Sequence, residues 1–124
     1  MLELHIKGTA ALTVTDEVTA ATVGSGMLPV FATPSMIALI EKAAADSVAS
    51  GLEPVGTKLD IAHTAATPVG MAVRAETELA EIDGRRLVFT VRAFDEVGEI
   101  GSGIHERFIV NAEKFLAKTN AKKG

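Results

Sequence analysis

The chain has 124 residues, 48% hydrophobic and 23% charged, the make-up of one globular domain over 1–124 and not of a disordered chain. It contains no Cys, which excludes disulfide scaffolds, Cys-ligated zinc and Cys nucleophiles, and fits a reducing, cytoplasmic setting. A net charge of −4 argues against a sequence-independent grip on nucleic acid, and no uncharged apolar run approaches the ~18 residues that span a membrane.

The first predicted element is a weak strand over 9–19, with Leu12 and Val14 on one face and Thr13 and Thr15 on the other. Residues 20–32 read as a mobile loop. Thr33-Pro34 then reads as a helix N-cap followed by Pro at the first helical position. Behind it Met36, Ile37, Ala38, Leu39, Ile40, Ala43, Ala44, Ala45, Val48 and Ala49 leave only a thin polar stripe at Lys42, Asp46 and Ser50, and Gly51 ends the helix. So apolar a girth predicts burial on several sides. Glu41 lies off the polar stripe, among Ile37, Ile40, Ala44 and Ala45, an odd place for a carboxylate.

From residue 57 the period becomes two. Leu59, Ile61 and His63 share one face, with Lys58 and Asp60 on the other. Strands over 71–82 and 85–95 flank Asp83-Gly84, a strong hairpin signal, and another strand spans about 99–110 after the Gly98 turn. The terminal lysines Lys114, Lys118, Lys122 and Lys123 fit a solvated helix face or tail. The order predicts an α+β fold in which an antiparallel sheet wraps one long helix, the hotdog arrangement. One sheet edge and part of the helix stay uncovered in a single copy, which predicts a homodimer.

Little in the chain carries metal or cofactor chemistry. His5, His63 and His105 show no ligand spacing with one another, so no metal is expected. Gly24-Ser25-Gly26 and Gly101-Ser102-Gly103 lack the third glycine of a dinucleotide loop, and the latter pair marks a bulge or a close backbone approach. No cofactor is implied. Thr33, Glu41 and His63 remain. They read equally as a satisfied core pair beside a helix cap, or as a site.

The segments Val30-Phe31-Ala32-Thr33, with Glu41 eight residues on, and Gly56-Thr57 ahead of Ala62-His63-Thr64-Ala65-Ala66-Thr67-Pro68 resemble the fluoroacetyl-CoA thioesterase family. So do the stretches 81–87 and 99–107, the latter ending Gly101-Ser102-Gly103-Ile104-His105-Glu106-Arg107. The resemblance covers roughly residues 30–115. It implies a homodimeric hotdog enzyme, with interfacial active sites, that hydrolyses short acyl-CoA thioesters. The implied catalytic residues are Thr33, Glu41 and His63, and the implied substrate contacts are Gly56 and Arg107. In members that discriminate fluoroacetyl groups the loop before the Thr carries aromatics; here Val23–Pro29 has none, so hydrolysis is implied and selectivity for fluorine is not.

On such an assignment His63 suits general base then acid, Glu41 water activation or direct attack, and Thr33 orientation or oxyanion donation. Eight helical residues span ~12 Å, so Thr33 and Glu41 cannot touch along one straight helix. Ala32, Ala38, Ala62, Ala65 and Ala66 around the motifs predict a small acyl group. His105 alternates out of phase with Ile104 and Phe108 and is expected to matter little, with Arg107 the ligand contact, to the CoA phosphates or the acyl end. A non-catalytic acyl-CoA binding module and a hotdog hydratase or dehydratase are the alternatives.

Overall fold

The computed structural model describes residues 2–48 and 51–124. Five strands, β1 (Lys7–Thr13), β2 (Glu53–His63), β3 (Ala72–Asp83), β4 (Arg86–Phe94) and β5 (Glu99–Val110), form one antiparallel sheet in the order β1-β3-β4-β5-β2. Three helices accompany it: α1 (Ala20–Val23), α2 (Thr33–Ser47) and α3 (Ala112–Asn120).

The alternation that predicts the strands also decides their faces. Val73, Ala75, Thr77 and Leu79 of β3 and Leu87, Phe89, Val91 and Ala93 of β4 are buried, whereas Arg74, Glu76, Thr90 and Arg92 between them are exposed. The buried set packs on Met36, Leu39, Ile40, Ala43 and Ala44 of α2 in one core cluster. Gly103 is required where β5 passes β2, because a Cβ there would enter the Asp60–Ile61 backbone. The result is the α+β hotdog arrangement, a helix backed by a single sheet.

Several boundaries move. The first strand is shorter than predicted and starts earlier, and a turn of 3-10 helix at Asp16–Val18 follows it. The predicted mobile loop contains α1, and its far end is anchored: Thr19 bridges Phe31, Val30 bridges Pro68, and Phe31 and Ala32 are buried. Ala32, not Thr33, is the N-cap of α2, and it makes no side-chain cap bond; Thr33 is the first helical residue. The helix ends at Ser47, and the predicted end residues Ala49 and Ser50 lie outside the described residues.

One sheet covers only one side of α2. Thr33, Pro34, Ala38, Lys42 and Asp46 are exposed, and Ile37, Glu41 and Ala45 are half-buried. The expectation of burial on several sides is therefore not met within one chain. β2 crosses to the far edge of the sheet beyond β5, and its outer side pairs with no strand among the described residues. Leu59, on its helix-side face, is 45% exposed.

Candidate functional site

The site residues predicted from sequence fall into two groups at opposite ends of β2. His63 closes β2, and its Nδ1 lies 2.7 Å from Thr33 Oγ1 at the start of α2. With Ala32 capping through its backbone alone, the Thr33 hydroxyl is free to turn to the imidazole. Pro34 has no N–H to leave unpaired, and helix geometry leaves the Thr33 and Ser35 amides without intrahelical acceptors beside that hydroxyl.

A cavity of about 290 Å³ opens over this pair, lined among others by Ala20, Ser25, Phe31, Ala65 and Ala66. Of the five alanines around the motifs, Ala65 and Ala66 line it; Ala32 is buried, and Ala38 and Ala62 are exposed elsewhere. Burial of the imidazole lowers the His63 pKa from its ordinary 6.5, against a contact to the Ala65 backbone that raises it. His63 is therefore neutral at pH 7, the form a base requires. Its Nε2 is buried and has no hydrogen-bond partner among the described residues.

The loop that follows His63 is fastened at several points. Thr64 N donates to Ile100 O at 2.7 Å, Phe31 N donates to Thr67 O at 2.9 Å, and the fully buried Thr67 hydroxyl donates to Asp95 Oδ2 at 2.8 Å. Desolvation raises the Asp95 pKa, but hydrogen bonds from Val97, Thr67 and Gly98 together outweigh it and leave the carboxyl below its usual range. Nothing in the sequence pattern pairs Thr67 with Asp95. Their contact is visible only once the β4–β5 turn is folded against the loop.

The second group centres on Glu41. Its Oε2 accepts from Arg107 Nη1 at 3.3 Å, which answers why a carboxylate sits off the polar stripe of α2. Gly56 lies beside them: a Cβ there would come within 2.5 Å of Glu41 Oε2 and 3.4 Å of Arg107 Nη1. Glycine is thus needed for a close approach, and a register shift between Gly56 and Lys58 presents it at that point. Arg107 is not placed to meet phosphates in solvent. Its side chain is 9% exposed, and its nitrogens reach Glu41, Pro54 O at 2.8 Å and His105 Nε2 at 3.1 Å. His105, which the alternation alone discounts, is fully buried inside this group.

The two groups do not meet in one chain. Gly56 is level with Arg107 on β5 and His63 with Gly101, a separation of about 20 Å at ~3.3 Å per strand residue. Among the described residues, no cluster of three or more His, Asp or Glu could hold a metal. No described helix is long and apolar enough to cross a membrane.

Comparison with known proteins gives this arrangement its context. Residues 14–113 match the family model described as fluoroacetyl-CoA-specific thioesterase. The chain is 47% identical to a fluoroacetyl-CoA thioesterase of Streptantibioticus cattleyicolor, over 75% of this chain and 70% of that protein. Among solved structures, the fluoroacetyl-CoA thioesterase FlK superposes with a TM-score of 0.92 at 36% identity, covering 98% of each chain. A thioesterase superfamily member of Thermus thermophilus superposes at 0.89 with 27% identity, covering 99% of this chain and 94% of that one. A fold built on one helix and one antiparallel sheet, with a Thr–His pair and a Glu held by Arg at the two ends of an edge strand, accompanies these matches; the chain belongs to the fluoroacetyl-CoA-specific thioesterase family.

Proposed function

We propose that the protein hydrolyses small acyl-CoA thioesters to the free acid and CoA, at two composite sites in a homodimer. The observation that carries this is the placement of the two residue groups on β2. An antiparallel pairing of β2 with its copy, centred on Asp60, brings the irregular Gly56–Thr57 stretch of each chain beside His63 of the other. The open edge of β2 and the exposed Leu59 favour such a pairing, since an unpaired apolar edge is otherwise a liability. Glu41 of one chain then joins Thr33 and His63 of its partner.

Each group has a task in that arrangement. The thioester carbonyl lies at the start of α2, where the Thr33 hydroxyl and the first-turn amides stabilise the oxyanion. Glu41, with Oε1 free of hydrogen bonds among the described residues, takes a proton from the attacking water. Water oxygen bonds to the carbonyl carbon, the tetrahedral intermediate collapses, and the C–S bond breaks. The proton that Glu41 takes passes to the neutral His63 ring, which delivers it to the departing CoA thiolate. Gly56 leaves room for the substrate beside Glu41, and Arg107 serves the substrate by holding Glu41 in place.

Short acyl groups are favoured over long chains, because Ala65 and Ala66 of the loop after His63 line the cavity over the Thr33–His63 pair. The loop Val23–Pro29, with Met27 and Leu28 exposed at its tip and no aromatic side chain, supports hydrolysis of acetyl and fluoroacetyl esters alike. A screen of acyl-CoA chain lengths with a thiol reagent tests the reading. Release of CoA from short esters, falling steeply with chain length, is the expected result. Saturable binding without free CoA would make the protein a binding module, and a new double bond with the thioester intact would make it a dehydratase. Sedimentation should show twice the chain mass at micromolar concentration.

A further inference from the structure

The hydrogen bonds behind Glu41 define a chain of donors and acceptors with one solution. His105 Nδ1 lies 2.8 Å from the carbonyl oxygen of Lys58, which can only accept, so Nδ1 carries the ring proton. His105 Nε2 lies 3.1 Å from Arg107 Nη1, which can only donate, so Nε2 is bare. The second proton on Nη1 goes to Glu41 Oε2, and Nη2 donates to Pro54 O. Three acceptors on three separate elements, β5, β2 and α2, therefore fix the plane of one guanidinium.

We propose that His105 is a positioning residue, a neutral imidazole locked in the Nδ1–H form, that aims Arg107 at Glu41 and so fixes the carboxylate for its part in hydrolysis. The ring is fully buried, with Phe89 of β4 stacked at 6.2 Å between centroids. A proton on Nε2 would set N–H against N–H and release the guanidinium. The charged groups around the ring, Arg107 and Glu106 from β5 and Glu41 from α2, do not offset this. Desolvation leads, and with Arg107 it holds the ring below its ordinary pKa. Arg107 Nε already lacks a partner among the described residues in its buried setting, so a guanidinium deprived of His105 has a further reason to shift. The role rests on the hydrolytic reading for its consequence but not for its geometry.

The test has two arms, so that failure of one reading is distinguishable from failure of the other. Nitrogen-15 spectra of the wild-type protein report the ring state directly, without substrate. The expected result is a protonated Nδ1 and bare Nε2 from pH 8 to 6.5; an Nε2–H tautomer, or a cation at pH 7, overturns the proposal whatever the protein hydrolyses. The second arm compares His105→Gln with His105→Met, which are close in size but differ in offering Arg107 an acceptor. His105→Met is expected to lose about 10-fold or more in kcat with KM moved less than about 2-fold, and His105→Gln to recover most of it. A slowly exchanging Arg107 Nη–H signal should survive in His105→Gln and vanish in His105→Met. Equal kcat and equal Arg107 signals in the two folded variants would reduce His105 to core packing.

Discussion

The two ends of β2 are built on opposite plans. At the His63 end the polar groups are half open: Thr33 is exposed, the imidazole borders a cavity, and one ring nitrogen is unpartnered. At the Gly56 end Arg107 and His105 are enclosed behind the half-buried Glu41, and their hydrogen bonds go to each other, to two backbone carbonyls and to Glu41. The first plan suits groups that must exchange protons with a visiting substrate. The second suits preorganisation, in which a carboxylate is aimed before any substrate arrives. A site assembled from one end of each kind has access and rigidity without asking either end for both.

The largest expected effect is at the open end. His63→Ala should lose roughly 10²–10⁴-fold in kcat while the melting temperature changes little, because the ring is half-buried and leaves a modest cavity. Unchanged turnover in the folded variant would return His63 to the core and dissolve the contrast. Next comes the assembly of the two ends. Glu41→Gln and His63→Ala, each inactive alone, should recover roughly a quarter of wild-type activity when unfolded together and refolded as mixed dimers. Random pairing makes half the dimers mixed, and each mixed dimer regains one intact site. No recovery would show that both ends act within one chain.

How much of this was readable in the sequence differs between the two ends for a physical reason. Strand faces and the Asp83-Gly84 hairpin are local, and alternation over β3 and β4 places nearly every core residue. The position of β2 beyond β5 is a long-range choice that no local pattern records, and with it goes the open edge. At the site, the motif resemblance supplies Thr33, Glu41, His63, Gly56 and Arg107 as names without contacts. Thr33 reads as a cap because Thr before Pro favours capping, yet its hydroxyl turns to His63 instead. Alternation sets His105 out of phase with Ile104 and Phe108 and so discounts it; that the ring is buried and bracketed by Arg107 and the Lys58 carbonyl depends on the pairing of β5 with β2 and the register shift after Gly56.

The pH dependence sharpens the comparison further, with a smaller effect. Burial lowers the pKa of both His63 and His105 below 6.5, so both rings are neutral at pH 7. A histidine whose folded pKa is depressed contributes stability that is present above its unfolded value and lost as pH falls through the folded one. Turnover should therefore hold from pH 8 to 6.5 and decline only below that, with stability declining in the same window. In His63→Ala the residual turnover should lose this limb while the fall in stability, still driven by His105, remains. An acid limb centred above 6.5 in the wild type would contradict the burial of the His63 ring.

The smallest effect is expected one residue from one of the largest. Lys42 follows Glu41 in sequence but sits about 100° further round α2, on the exposed stripe, where Nζ pairs with Asp46 Oδ2 at 2.9 Å. Both side chains are more than half exposed, so water screens the pair, and spacing of four residues is worth a few tenths of a kcal/mol at most. Lys42→Gln is thus expected to leave kcat unchanged and to shift unfolding free energy by less than about 0.5 kcal/mol. Glu41→Gln, by contrast, replaces a carboxylate on a buried guanidinium with an amide that neither takes a proton nor balances the Arg107 charge. A loss of turnover in Lys42→Gln comparable to that in Glu41→Gln would mean that the polar stripe of α2 also faces the reaction, and that the enclosed end of the site is wider than the Arg107 network.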